Sequence, residues 1–176
     1  MNLHTERLLL TPLGPQFLLS THEYACNLEN TRYMVHLPNT DINETKEFLD
    51  RVHGEWQKEN PDYYEFAILL NHKHIGAVCV YLDREDATGE LGWILHKNYW
   101  GNGYATEAAR EIMNFAIQNL NVKRFVAHCD SENENSYKVM TKLGLSLVDR
   151  SRGRKNKSSD EDREELIYSL DISSMN

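Results

Sequence analysis

No stretch of this chain approaches the ~18 consecutive apolar residues of a membrane-spanning helix, so no membrane span is expected. Cysteine is scarce: Cys26, Cys79 and Cys129 are the only three, widely spaced and without a C-x-x-C pair, which argues against a disulfide framework or a cysteine zinc site. None of the eight histidines stands four residues from another, so the H-x-x-x-H pattern is missing and no metal is expected. The opening residues show no basic-then-apolar leader, and a reducing, cytoplasmic compartment is the expectation. Cationic surplus is absent too. Lys and Arg number 19 against 27 Asp and Glu, a formal charge of −8, which argues against general nucleic-acid binding because such a protein must displace phosphate counterions. The acidic balance suits a cationic acceptor such as an amine. No internal repeat is present.

What remains is an ordinary globular chain, 176 residues with 40% hydrophobic and 26% charged side chains. That length suits a single domain, 1–176, whose core needs neither disulfide nor metal. Residues 7–11 read as a short strand near a sheet edge, ended by Pro12. Phe17, Leu18, Thr21 and Ala25 follow at helical spacing. Residues 28–40 have no clear period and read as an irregular connection. Asp41 and Glu44 resemble a capping box, after which Phe48, Leu49, Val52 and Trp56 share one helical face until Asn60-Pro61 stops it. Residues 64–70 and 74–82 read as strands joined in a hairpin at 71–73, and 83–88 is a second polar turn.

The centre of the chain is residues 90–107. An apolar run from Leu91 to Leu95 gives way to a loop with Gly101 and Gly103, then to a helical period starting at Ala105: strand, loop, helix. The first amides of a helix have no internal partner and sit at the positive end of its dipole, so a loop that bares them suits phosphate. Two glycines alone make an ordinary tight turn just as well. The third glycine of a dinucleotide fingerprint and the Lys-Ser or Lys-Thr of a triphosphate loop are missing. Ala108, Ala109, Ile112, Met113, Ala116, Ile117 and Leu120 give the helix a broad apolar stripe, with Glu107 suited to its first turn. A strand at 122–129 then implies a parallel, right-handed crossover. A helix through Ser136, Val139, Met140 and Leu143 ends at Gly144, and 145–148 and 165–170 read as the last strands. The stretch 150–165, basic first and acidic after, reads as a solvated, mobile hairpin loop.

The run Trp100-Gly101-Asn102-Gly103-Tyr104-Ala105-Thr106-Glu107-Ala108 resembles the cofactor loop of the GNAT acetyltransferases, in the G-x-G-Y-A-T-E-A form of their ribosomal-protein N-acetyltransferase (RimJ/RimL-like) branch. Asn133-Glu134-Asn135-Ser136 and Lys142-Leu143-Gly144 resemble that branch's N-x-x-S and K-L-G-F elements, and Thr5-Glu6-Arg7-Leu8-Leu9-Leu10 its T-x-R-L-x-L strand. The resemblance implies acetyl-coenzyme A (acetyl-CoA), its pyrophosphate on the amides of Gly101, Asn102, Gly103, Tyr104, Ala105 and Thr106 and its pantetheine beside Trp93, Ile94 and Leu95. It also implies an irregularity in that strand, freeing an N–H toward the thioester oxygen. Asn133 would bind the pantetheine, cap its helix, or both.

A base must take the acceptor's proton. Glu90, on the strand before the loop, is one candidate, against its bland reading as an exposed strand-end glutamate. His128 on the next strand is the rival, against a solvated or core histidine. Many relatives protonate the thiolate with a tyrosine seven residues after the asparagine, where this chain has Met140. Ser136 matches the serine of the ribosomal-protein branch instead.

The expected fold is α/β, a GNAT domain with a mixed sheet of about seven strands and helices on both faces. The expected activity is acetyl transfer to a primary amine, with a protein or peptide N-terminus favoured by the resemblance. A polyamine or antibiotic amine, or a non-catalytic acyl-CoA binder, are the alternatives. The chain would act as a monomer or homodimer.

Overall fold

The structure is a computed structural model that describes residues 1–173; the last three residues of the expected 1–176 domain lie outside them. Strands β1 (Leu3–His4) and β2 (Leu8–Pro12) pair antiparallel at the start. Helix α1 (Leu18–Ala25) follows a 3₁₀ turn, and α2 (Leu28–Thr31) is a single turn capped by Asn27. Helix α3 (Ile42–Trp56) starts at the expected capping box: Asp41 accepts from the Asn43 N–H, and Glu44 accepts from the Asp41 N–H. Its inner face buries Leu49 and Val52, with Phe48 and Trp56 half-buried beside them.

Strands β3 (Tyr63–Leu70), β4 (Lys73–Asp83) and β5 (Thr88–Leu95) form an antiparallel meander. Helix α4 (Tyr104–Leu120) crosses to β6 (Arg124–Asp130), which lies parallel to β5 as the crossover requires. Helix α5 (Glu134–Lys142), β7 (Ser146–Lys155) and β8 (Asp162–Asp171) complete a sheet of order β1-β2-β3-β4-β5-β6-β8-β7. Helices α1 and α3 cover one face, over Leu13, Ala67 and Ala77; α4 and α5 cover the other, over Phe66, Val78, Leu91 and Phe125. The α/β architecture is the expected one.

Three differences from the sequence reading have physical causes. The sheet has eight strands because β1, two residues long, is too short to show a period. On α4, Phe115 is buried while Ile117, assigned to the stripe, is 42% exposed at its margin.

The larger correction concerns residues 150–165. These are not a mobile loop: β7 and β8 stay paired as far as Lys155↔Asp162. The basic run and the acidic cluster are facing strands, joined ion by ion through Arg150–Glu164, Arg154–Glu165 and Lys155–Asp162. An edge strand wetted on both sides carries no apolar alternation, which is why its charges read as loop. The turn that remains is also anchored. Buried Asn156 donates to Asp130 (2.7 Å), the Lys157 N–H to Met34 O (3.0 Å), and the Ser158 hydroxyl to Arg32 O (3.3 Å).

Candidate active site

Gly101 and Gly103 hold φ of 77° and 81°, left-handed values that favour glycine. A Cβ at Gly101 would meet nothing within 4 Å, so the loop's open side has room for a ligand to reach the main chain. Gly103 is the N-cap of α4 and offers no side-chain cap, so the amides that begin with Tyr104, Ala105 and Thr106 stand at the positive end of the helix. Asn102 turns its amide inward to Tyr99 O (3.2 Å) and Trp100 O (3.0 Å), and the Trp100 indole N–H donates to Leu95 O (2.9 Å). These side chains therefore shape the loop rather than face its open side.

A cation reaches the loop from elsewhere. The Arg7 guanidinium donates to Asn102 O (3.0 Å) and lies 4.5 Å over the Tyr104 ring. Glu107 accepts from the Thr5 hydroxyl (2.6 Å), the Arg7 N–H (2.8 Å) and Arg7 Nε (2.7 Å). Burial works to raise the Glu107 carboxyl, but these donors outweigh it and hold it below the usual range. Read in the sequence only as a dipole complement, Glu107 fastens the glycine loop to the Thr5–Arg7 bend between β1 and β2.

Beside the loop, β5 and β6 pair only at Thr88↔Arg124, Gly89↔Phe125 and Glu90↔Val126. Past Glu90 they part, and the backbone of Trp93, Ile94 and Leu95 borders the gap, with Trp93 and Ile94 half-buried and Leu95 buried. Register with β4 is unbroken from Thr88 to Leu95, so the implied irregularity is not found on that side; the unpaired edge of β5 is the one toward β6. On that edge Leu95 O already accepts from the Trp100 indole (2.9 Å) and the Asn30 side-chain amide (2.5 Å).

Glu90 is exposed on the face opposite α4, and alternation puts Val126 and His128 on that face too. His128 Nδ1 lies 3.1 Å from Glu165 Oε1, and Arg154 donates to Glu165 Oε2 (2.5 Å). Burial raises the Glu165 carboxyl, but His128 and Arg154 outweigh it and keep it ionised. An ionised Glu165 accepts from Nδ1–H, so this pairing assigns the lone pair to Nε2, turned away from it. Arg154 also donates to Tyr33 O (2.8 Å), closing this side with the 32–39 connection.

Asn133 caps α5, its side chain accepting from the Ser136 N–H (3.3 Å). Ser136 is half-buried in the first turn of α5, close to Cys129 of β6, whose thiol burial pushes up to about 11. Met140 is buried in the core at 1% exposure. The structure thus groups the loop residues with Arg7 and Glu107, and Glu90 with His128; Ser136 and Asn133 sit on the other side of β6.

Sequence reasoning also passed over Glu65, a buried carboxyl on β3. Its signal was a lone charge inside the apolar run Tyr-Tyr-Glu-Phe-Ala-Ile-Leu-Leu, which a strand covered on both faces does not carry without cause.

The family model for the acetyltransferase (GNAT) domain matches residues 7–146. An uncharacterized N-acetyltransferase, YnaD of Bacillus subtilis (strain 168), is 29% identical over 147 residues, 82% of this chain and 82% of its own length. Spermidine N(1)-acetyltransferase of Escherichia coli (strain K12) is 26% identical over 140 residues, 78% of this chain and 72% of that one. A solved structure of RimL, a ribosomal L7/L12 α-N-protein acetyltransferase in complex with coenzyme A, superposes with a TM-score of 0.83 over 99% of each chain at 15% identity, a likeness of fold. The chain belongs to the GNAT acetyltransferase family and is an acetyl-CoA-dependent N-acetyltransferase.

Proposed function

We propose that this chain, acting as one catalytic domain, transfers acetyl from acetyl-CoA to a primary amine on a small cationic acceptor. The observation that carries the reading is the acidic face where β5 and β6 part: Glu90 and the His128–Glu165 pair stand at the point where the gap closes, and Glu65 lies farther along the same face. The likeness to the spermidine enzyme supports a small amine. The anchored β7–β8 turn supports it as well, because Arg154 and Lys157 draw residues 33 and 34 over the acceptor side and narrow it.

In this reading the amides of Gly103, Tyr104, Ala105 and Thr106 hold the pyrophosphate, with Gly101 and Asn102 shaping the approach. The free edge of β5 along Trp93, Ile94 and Leu95 takes the pantetheine. Acetyl-CoA supplies an activated thioester. Glu90 removes the acceptor's proton directly or through water, with His128 Nε2 the alternative base. Ser136 offers a hydroxyl to the departing sulfur, and Asn133 orients the helix that carries it.

A protein or peptide N-terminal amine is the second reading, favoured by the sequence resemblance of residues 100–108 and 133–136 to the ribosomal-protein branch. The deciding experiment is coenzyme A release with a panel of alkyl monoamines, diamines and short peptides. Turnover of the alkyl amines with little on peptides is expected; turnover of peptides alone overturns the small-acceptor reading. In the same assay Glu90→Gln should lower kcat by ~10²-fold, the loss shrinking at high pH where the amine deprotonates unaided. A silent Glu90→Gln beside a damaging His128→Ala moves the role to β6.

A further inference from the structure

Three carboxylate side chains are buried among the described residues: Glu55, Glu65 and Asp130. Glu55 pairs with Lys58 (2.8 Å) and Asp130 with Arg163 (2.9 Å). Glu165 and Glu107, partly buried, have Arg154 and Arg7. Glu65, at 8% exposure, has no cation among the described residues; what reaches its carboxyl is the Cys79 thiol. Burial accordingly pushes it up to about 7. A buried acid is costly to keep charged without a partner, and unpaired ones cluster where a ligand brings the missing charge.

The register places Glu65 within the acceptor face. Glu65 stands opposite Cys79 and Cys79 opposite Gly92, while the neighbouring row runs Tyr63, Tyr81, Glu90, Val126. Tyr63 and Tyr81 stack at 4.7 Å, and Tyr24 of α1 completes an aromatic surround close enough to feel the Glu65 charge. Such rings pack on methylene groups and attract ammonium. Two strand spacings and two residue steps separate Glu65 from Glu90, about 12 Å between Cα atoms. Two glutamate side chains and an aliphatic diamine of three or four carbons span that distance.

We infer that Glu65 is the specificity-determining residue that receives a second ammonium of the acceptor, so that the substrate class is an aliphatic diamine or polyamine. The inference rests on the small-amine reading. One amine meets the thioester beside Glu90 while the other supplies the cation that Glu65 lacks. A monoamine leaves Glu65 as it is.

The test compares 1-aminobutane with 1,4-diaminobutane as acceptors for wild type, Glu65→Gln and Glu65→Asp. Wild type should prefer the diamine. Glu65→Gln should lose about 10- to 100-fold in kcat/KM on the diamine, the worth of one charge-assisted contact, with the monoamine unchanged. Glu65→Asp, with its shorter reach, should shift the preference toward 1,5-diaminopentane, a change that a structural role does not produce. Thermal melts and acetyl-CoA calorimetry on each variant establish that it folds and loads cofactor. Equal losses on both amines, or an unchanged diamine preference in Glu65→Gln, overturn the inference while leaving the small-amine reading in place. If the wild type acetylates peptides and neither alkyl amine, that reading falls and the inference falls with it.

Discussion

Glu65 makes a prediction about stability that needs no substrate. Its carboxyl is lifted from an ordinary 4.5 to about 7 by burial. Each pKa unit is worth 1.36 kcal/mol, so holding it ionised costs the folded state about 3 kcal/mol. Because the folded value lies above the unfolded one, the folded protein keeps this proton where the unfolded chain has lost it. The Glu65 contribution to stability is therefore most favourable below pH 4.5, falls as pH rises toward about 7, and carries the full cost above that. Facing Glu65 are Tyr24, Tyr63, Cys79 and Tyr81, all pushed upward chiefly by burial and so neutral across this window, with the Glu90 charge one row away.

Glutamine cannot titrate, so Glu65→Gln removes the pH-dependent cost while adding whatever fixed packing cost the amide brings. Urea unfolding of both proteins at pH 5 and pH 8 cancels the fixed part. The mutant's advantage should grow by about 2–3 kcal/mol from the lower pH to the higher, or roughly 5–10 °C in Tm for a chain this size. A difference that stays flat between the two pH values would mean that Glu65 is neither isolated nor perturbed, and would remove the basis for its pairing with an ammonium.

Gly103→Val should weaken acetyl-CoA binding at least 10-fold by calorimetry in a folded protein, since its φ of 81° disfavours a β-branched residue and its side chain would enter the space beside Arg7; unchanged affinity refutes the phosphate assignment. Glu107→Gln should destabilise the fold by about 1–2 kcal/mol and raise the Kd for acetyl-CoA, because three donors lose a charged acceptor; a variant that loses stability alone would make the clamp purely structural. Ser136→Ala should slow the chemical step by about 1.5–3 kcal/mol, one to two decades, read by single-turnover kinetics so that product release does not mask it. Unchanged single-turnover rates would return Ser136 to a helix-start residue.

The features legible in the sequence were local. The capping box at Asp41 and Glu44, the glycines before α4 and the stripe over Ala108 to Ala116 each lie within one or two helical turns, where spacing alone carries the signal. What could not be read joins distant residues. Thr5 and Arg7 are about a hundred positions from Glu107, so the two motifs stand in the sequence with nothing to say that they touch. Arg150, Arg154 and Lys155 looked like a solvated charge run because their acids lie on the facing strand. Glu65 was hidden for a third reason: one charge in an apolar strand reads as a flaw in the pattern until the sheet shows that no cation among the described residues comes to meet it.

The sheet order has a consequence for how this enzyme comes into being. The last strand formed, β8, lies between β6 and β7 and supplies Glu165 to His128. During synthesis the glycine loop and α4 are complete while residues 162–171 are still to come. Until then β6 and β7 each present an open edge, the kind of surface that recruits other chains. A chain interrupted before β8 thus holds the glycine loop and α4 without Glu165, the residue that pairs with His128 and Arg154. Chaperone dependence, proteolytic sensitivity and loss of activity in truncated forms should all concentrate at this one insertion.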